Sequence, residues 1–283
     1  MSVINTNVSA MYSQNAMKTN ARAMSTAMEQ LSTGTRVNSA KDDAAGLAIG
    51  QNMTSQIKGL NQAVRNLNDG INMMQTAEGA MIEQSNMLQR MRELAVQSMN
   101  GTYSDVQRGY LDKEFQALST QIGKIATDTK WNDQTLLDAS VSGVTGQAGT
   151  FQFQAGMSSG QTVVVSIAAM TLTGLGITSA GGTIAITGLT TATAALTVIS
   201  SALETINGQR AQIGAGINRM EYAADNLTNI SSNATQSRST IMDTDYAVAT
   251  TQLAKTQIIQ QAATAMLAQA NQQPQTVMTL LKG

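Results

Sequence analysis

The side chains with the most chemistry to offer are four carboxylates in two tight groups, Asp42-Asp43 and Asp243-Thr-Asp245. Adjacent carboxylates can share a proton and act as acid and base, but neighbours on a helix diverge by about 100°. Placed just ahead of the apolar run Ala44-Ala-Gly-Leu-Ala-Ile49, the first pair is better read as a cap on a helix N-terminus. The second group opens like a calcium loop. It then lacks the glycine at the sixth position and the glutamate at the twelfth, where Val248 and Ala254 stand. Glycine-rich GLGITSAGG (174–182) and GAGINR (214–219) are without the GxxxxGK[ST] arrangement, so neither cradles phosphate. The chain has no histidine and no cysteine, which removes the commonest general base, the thiol nucleophile and the usual zinc ligands. No catalytic, cofactor-binding or metal-binding residue is assigned, and the expectation is that the protein is not an enzyme.

Composition narrows the partners as well. A net charge of −1 offers no field for nucleic acid or an anionic membrane. The N-terminal stretch lacks the basic and continuous apolar segments of a cleaved signal peptide, and no stretch is expected to approach the roughly 18 apolar residues of a membrane span. Only 3% of the residues are aromatic while 42% are hydrophobic, with 18 methionines. That balance suits thin helical seams filled by methionine better than a thick globular core.

Two ladders at spacings of three and four supply those seams. The first runs Met53, Leu60, Leu67, Met74, Met81, Leu88, Ala95, with Ile57, Val64 and Ile71 between; the second runs Ile199, Ile206, Ile213, Met220, Leu227, with Leu203, Ile217 and Ala224 between. The first ladder belongs to a helix expected from about Ala44 to Met99, roughly 80 Å long at 1.5 Å per residue. Such a helix needs a partner along its whole length, and the second ladder is the natural one. Ser104 with Gln107 is a capping box for a third helix carrying Leu111, Phe115, Leu118, Ile122 and Ile125.

Two amphipathic helices flank these, one from Val3 to about Leu31, closed by Gly34, and one from about Asp243 to Gln272, stopping near Pro274. Ser39 with Asp42 reads as the capping box of the long helix. Between the ladders, FQFQAG and QTVVVSI read as strands, and the Gly-, Thr- and Ala-rich stretch after them as a second small β element or a surface loop. The apolar stripes of the terminal helices have no partner within the pattern, and leaving them wet costs free energy in proportion to their area. Another chain is the expected remedy.

Three strings carry a family resemblance: LSTGTRVNSAKDDAAGLAI (31–49), LQRMRELAVQS (88–98) and DTDYAVATTQLAKTQIIQQAATAMLAQANQQPQTVMTLL (243–281). Together they resemble the bacterial flagellins, in a compact form with a short central region. The resemblance implies a mainly α fold, a long-helix coiled-coil bundle from the N- and C-terminal segments with a small β-hairpin region in the middle. It implies terminal helices 1–44 with 242–283 lining an inner tube, a helical rod bundle of 45–140 with 191–241, and a small β-rich outer region over 141–190. Subunit packing would fall to Val3, Ile4, Val8, Met11, Ile259, Met266, Leu267 and Leu281. Bundle core would fall to Met53, Ile57, Leu60, Val64, Leu67, Ile71, Met74, Ile206, Ile213, Ile217, Met220 and Leu227.

The function implied is that of a secreted structural subunit of the extracellular flagellar filament, a hollow helical propeller for swimming motility, self-assembled as a helical homopolymer whose ends order only on assembly. Implied partners are the filament cap protein, the hook-filament junction protein, the flagellin export chaperone and the flagellar type III export apparatus. A host Toll-like receptor is a further implied partner, touching Arg90, Leu94 and Glu114; no nucleic acid partner and no membrane insertion are implied. A hook-filament junction protein of the same superfamily is the alternative reading.

Overall fold

Capping side chains and glycines set the helix ends. In the computed structural model, which describes residues 6–139, 149–179 and 182–281, α1 spans Val8–Thr33 and α2 spans Ala44–Ser98. Asn7 caps α1 by accepting the Ala10 N–H at 3.0 Å. Gly34 closes it at φ 71°, a left-handed turn that costs glycine nothing. α3 spans Asp105–Asp128, and Ser104 and Gln107 form the reciprocal capping box expected there.

The capping box expected at Ser39 and Asp42 is corrected. Asp42 reaches backward, its Oδ2 accepting from the Ser39 N–H at 3.0 Å and the Ser39 hydroxyl at 2.9 Å, and so closes a turn. Asp43 is the residue that caps α2, taking the Gly46 N–H at 2.8 Å.

Among the described residues, six short strands follow α3: β1 Lys130–Trp131, β2 Gln134–Thr135, β3 Thr150–Gln154, β4 Thr162–Ser166, β5 Thr178–Ser179 and β6 Gly182–Thr183. They form three separate antiparallel pairs, β1 with β2, β3 with β4 and β5 with β6. The first turns on Asn132 and Asp133, both at positive φ, the geometry a two-residue hairpin requires. β3 and β4 run in register from Thr150 opposite Ser166 to Gln154 opposite Thr162. They are the strands read from FQFQ and TVVVS. α4 then spans Leu189–Met242 and α5 spans Tyr246–Leu281. The protein is thus mainly helical, with small hairpins in the middle.

α5 does not stop at Pro274. Proline lacks the N–H that would bond four residues back, which leaves the Ala270 carbonyl without its helical donor. The Asn7 amide fills the gap, donating to Ala270 O at 2.8 Å. One asparagine therefore caps α1 and completes the ladder of α5.

The chain divides into two compact units, one of Met1–Ile57 with Ser232–Gly283 and the other of Lys58–Ser231. In the first, α1 packs against α5. In the second, α2 and α4 run antiparallel: Ser231 Oγ donates to Asn61 at 2.8 Å, Gly70 faces the Met220 sulfur, and Arg210 lies 3.7 Å from Glu78. The second unit's core is a seam of Leu60, Leu67, Ile71, Met74, Met81, Leu88 and Ala95 against Ile199, Ile206, Ile213, Met220 and Leu227, all buried, with Val64, Leu203 and Ile217 packed at its margin. Met53 and Ile57 are half-buried and belong to the first unit.

The expectation that no stretch approaches a membrane span is also corrected, because α4 contains an 18-residue window of mean hydropathy 1.3. Its apolar residues at 192, 195, 199, 202 and 206 are buried in the second unit's core, while Thr193, Thr197, Ser200 and Thr205 bond backward to helix carbonyls on the outside. The apolarity serves a protein seam.

Candidate functional site

The seam between α1 and α5 is lined by small and polar side chains. Its buried members are Asn20 and Ala27 on α1 and Ala249, Thr256 and Ala270 on α5. Asn20 Nδ2 donates to Thr256 O at 2.8 Å and to Gln260 Oε1 at 3.2 Å, so the polar group at the seam is satisfied. Alanine, asparagine and threonine let two helices approach closely. Met17, Met24, Leu31, Leu253 and Leu267 are half-buried on the same two helices, while other large apolar side chains face outward.

Val8 is 64% exposed and Met11 56% exposed on α1, and on α5 Met266 is 64% and Ile259 40% exposed. Leu267 is half-buried. Val3 and Ile4 lie outside the described residues, and Leu281 ends α5 with a side chain that is likewise outside them. The packing set read from the sequence did not include Tyr12, Met28, Tyr246, Val248 and Ile258, which are exposed on the same two helices. Their signal was legible as a second apolar stripe displaced from the seam, but period alone does not say which of two stripes faces inward.

A second surface surrounds Arg90. Its guanidinium holds Glu93, Nη1 to Oε2 at 2.8 Å, and Glu114 on α3, Nε to Oε1 at 3.0 Å. The hydrogen bond it donates to Glu93 and then that to Glu114 raise the Arg90 pKa above its ordinary value, and the guanidinium stays charged throughout. Leu94 is a correction to the expected receptor contact. It is 1% exposed, in the core with Met91 and Ala95, because its place on the ladder turns it inward. Beside this surface, Gln89, Arg92, Glu93, Val96, Gln97 and Leu203 line a groove of about 460 Å³.

The carboxylates have structural partners. Asp43 caps α2; Asp245 caps α5, its Oδ1 accepting the Ala247 N–H at 2.8 Å and the Val248 N–H at 3.3 Å. Thr35 pairs with Asp243 in an isolated antiparallel bridge, and Arg36 donates to Ile241 O at 2.8 Å. Among the described residues no group of three or more Asp, Glu, His or Cys side chains could hold a metal ion.

A polar network inside the second unit was not foreseen. The segment after β4 has little regular structure, so its backbone groups need partners elsewhere. Gln209 on α4 supplies two, donating to Ser166 O at 2.8 Å and accepting the Ala168 N–H at 3.2 Å. Gln84 donates to Met170 O at 3.1 Å and to Ile122 O at 3.2 Å; Gln116 donates to Ile184 O at 2.9 Å, and Asp112 accepts the Ile186 N–H at 2.8 Å. Side-chain amides on three helices thus hold a segment that could not hold itself.

Comparison with known proteins places this architecture. Residues 4–142 match the bacterial flagellin N-terminal helical region and residues 196–281 match the bacterial flagellin C-terminal helical region. The chain is 42% identical to a flagellin of Halalkalibacterium halodurans over 280 residues, covering 99% of this chain and 100% of that one. It is 39% identical to the flagellar filament 31.3 kDa core protein of Treponema maltophilum, covering 99% and 100% respectively. The structure of a flagellar hook-associated protein from Vibrio parahaemolyticus superposes with a TM-score of 0.57 at 14% identity, over 71% of this chain and 99% of that one, a likeness of fold.

Proposed function

With this chain belonging to the bacterial flagellins, compact non-enzymatic subunits that self-assemble into the extracellular flagellar filament for motility, we propose that the outward apolar stripe of α1 and α5 is its polymerisation surface. The observation that carries this is the exposure of Val8, Met11, Ile259 and Met266 on helices whose buried positions are taken by other residues, Asn20, Ala27, Thr256 and Ala270. Exposed apolar area of this extent marks an interaction face, and a contact that repeats without closing generates a helical filament. On this reading, segments 1–44 and 242–283 line the inner tube, 45–140 with 191–241 form the surrounding rod, and 141–190 lies outermost. Val3, Ile4, Leu267 and Leu281 join the packing set.

Membership of the family supports a finer set of partners. We assign the cap protein and the hook-filament junction protein to the two ends of the polymer, and the export chaperone and type III export apparatus to the chain before assembly. A host Toll-like receptor would meet Arg90 and Glu114, with Leu94 acting beneath them as packing. The junction-protein reading is not favoured, since proteins matching the chain nearly end to end are flagellins and filament core proteins.

The test is a pair of full-length variants, Met11→Glu and Met266→Glu, seeded with wild-type filament fragments. Both are expected to keep the monomer's thermal melt and to yield no filaments by negative-stain microscopy. Filaments of normal length from both would overturn the assignment of the polymerisation surface while leaving the family membership intact.

A further inference from the structure

The sequence contains the dipeptide Asn-Gly twice, at Asn100-Gly101 and Asn207-Gly208, and the fold places the two in opposite backbone settings. All four residues are exposed to solvent. Asn100 and Gly101 occupy the turn between α2 and α3. There the Asn100 Oδ1 accepts the Thr102 N–H at 3.2 Å, which polarises the side-chain carbonyl. No hydrogen bond among the described residues engages the Gly101 N–H or the Asn100 Nδ2, and a Cβ added at Gly101 would meet nothing within 4 Å. Asn207 and Gly208 sit in the middle of α4. Helical geometry commits the Gly208 N–H to the carbonyl four residues back and fixes ψ, so that nitrogen cannot turn onto the Asn207 side chain.

We infer that Asn100 is a site of spontaneous, water-driven isoaspartate formation in the native protein, and that Asn207, in the same dipeptide, is protected. The Gly101 nitrogen gives up its proton to solvent base and attacks Asn100 Cγ. The N–Cγ bond forms, the Cγ–Nδ2 bond breaks, and the amine leaves as ammonia carrying a proton from water. The resulting succinimide is opened by one water molecule. Attack at Cγ leaves an aspartyl linkage; attack at the α-carbonyl breaks the original peptide bond and leaves the chain running through the side-chain carbon. No oxidant, metal or enzyme is required.

The site bears on the α2–α3 connection because Arg108 is built around it. Its guanidinium donates to Ser98 O at 2.9 Å and Asn100 O at 3.4 Å, and pairs with Asp105 at 3.0 Å. After attack at the α-carbonyl, the Asn100 oxygen that Arg108 holds becomes part of a free carboxylate. The turn gains a negative charge and an extra backbone carbon, while the guanidinium stays in place to pair with it. The chain thereby acquires an irreversible mark of age at a position its own arginine can accommodate.

The experiment incubates full-length native protein at mildly alkaline pH and follows the two peptides by mass spectrometry, with isoaspartyl methyltransferase labelling as the second readout. Isoaspartate is expected at position 100 at least about tenfold faster than at position 207, the factor that roughly 1.4 kcal/mol of local helix opening imposes. In urea the two rates should converge, since the dipeptides are then alike. Gly101→Ala should slow the reaction at position 100 and leave position 207 unchanged. Equal rates in the native protein, or a difference that survives in urea, would overturn the inference.

Discussion

At Asp42 a single carboxylate holds a turn by accepting from its predecessors. The hydrogen bond from the Ser39 hydroxyl, then those from the Ser39 and Asn38 N–H groups, hold its pKa below the ordinary aspartate value. A lowered folded value means the stabilisation is present above the unfolded value, about 3.9, and is lost as pH falls through the folded one. The Ser39 amide should therefore exchange well below its intrinsic rate at neutral pH and lose that protection only on acidification below about pH 4; in Asp42→Ala it should exchange near its intrinsic rate at every pH. Slow neutral exchange in that variant would show the turn to be held by something else. Gln209 makes a buried counterpart. Gln209→Leu strands the Ala168 N–H and the Ser166 carbonyl, and is expected to cost about 1–3 kcal/mol in urea unfolding. The Ser39–Asp42 pairing was legible, though as a helix cap and not as a turn, whereas the role of Gln209 was not, because its partners lie far away in the chain. The Ser104 box was legible, because both its members lie within one turn.

For the elements, close approach decides what a helix tolerates. A Cβ at Gly216 would lie 3.0 Å from Val165 Cγ2, and one at Gly70 would lie 2.8 Å from the Phe153 ring, so the β3–β4 hairpin rests on glycines of α4 and α2. Gly216→Val should push the hairpin away and cost about 1–3 kcal/mol by thermal melt. Gly79 on α2 has nothing within 4 Å, and Gly79→Ala should stabilise by about 0.5–1 kcal/mol because alanine is the better helix former. Equal effects from the two would show that the hairpin does not press on α4. The ladders gave the long helices and their buried faces from period alone. The end of α5 escaped the same reasoning, since Pro274 is a helix breaker by local rules and is tolerated because Asn7, distant in sequence, takes the carbonyl it frees.

Over the whole molecule, the two compact units carry different loads. The unit Lys58–Ser231 has the apolar seam and the amide network, which is the equipment of an independently stable body. The unit of Met1–Ile57 with Ser232–Gly283 joins α1 to α5 around a few small buried side chains and leaves Val8, Met11, Ile258 and Met266 exposed. Deleting residues 1–20 or 264–283 should therefore abolish polymerisation while the unit Lys58–Ser231 keeps its cooperative melt by circular dichroism. Loss of that melt in either truncation would mean the ends are part of the stable body and not chiefly a surface for other copies.

The sequence by itself determined the helices, their ladders, the β3–β4 pair and, through three long strings, the family. All of these rest on short-range period and composition, which survive in one dimension. Tertiary structure alone decided which apolar stripe of α1 and α5 faces inward, that Leu94 is core while Arg90 and Glu114 are surface, and how the segment after β4 is held. Each of these depends on groups far apart in the chain, Asn20 with Thr256 or Gln209 with Ser166. No local pattern records a partner that only folding supplies.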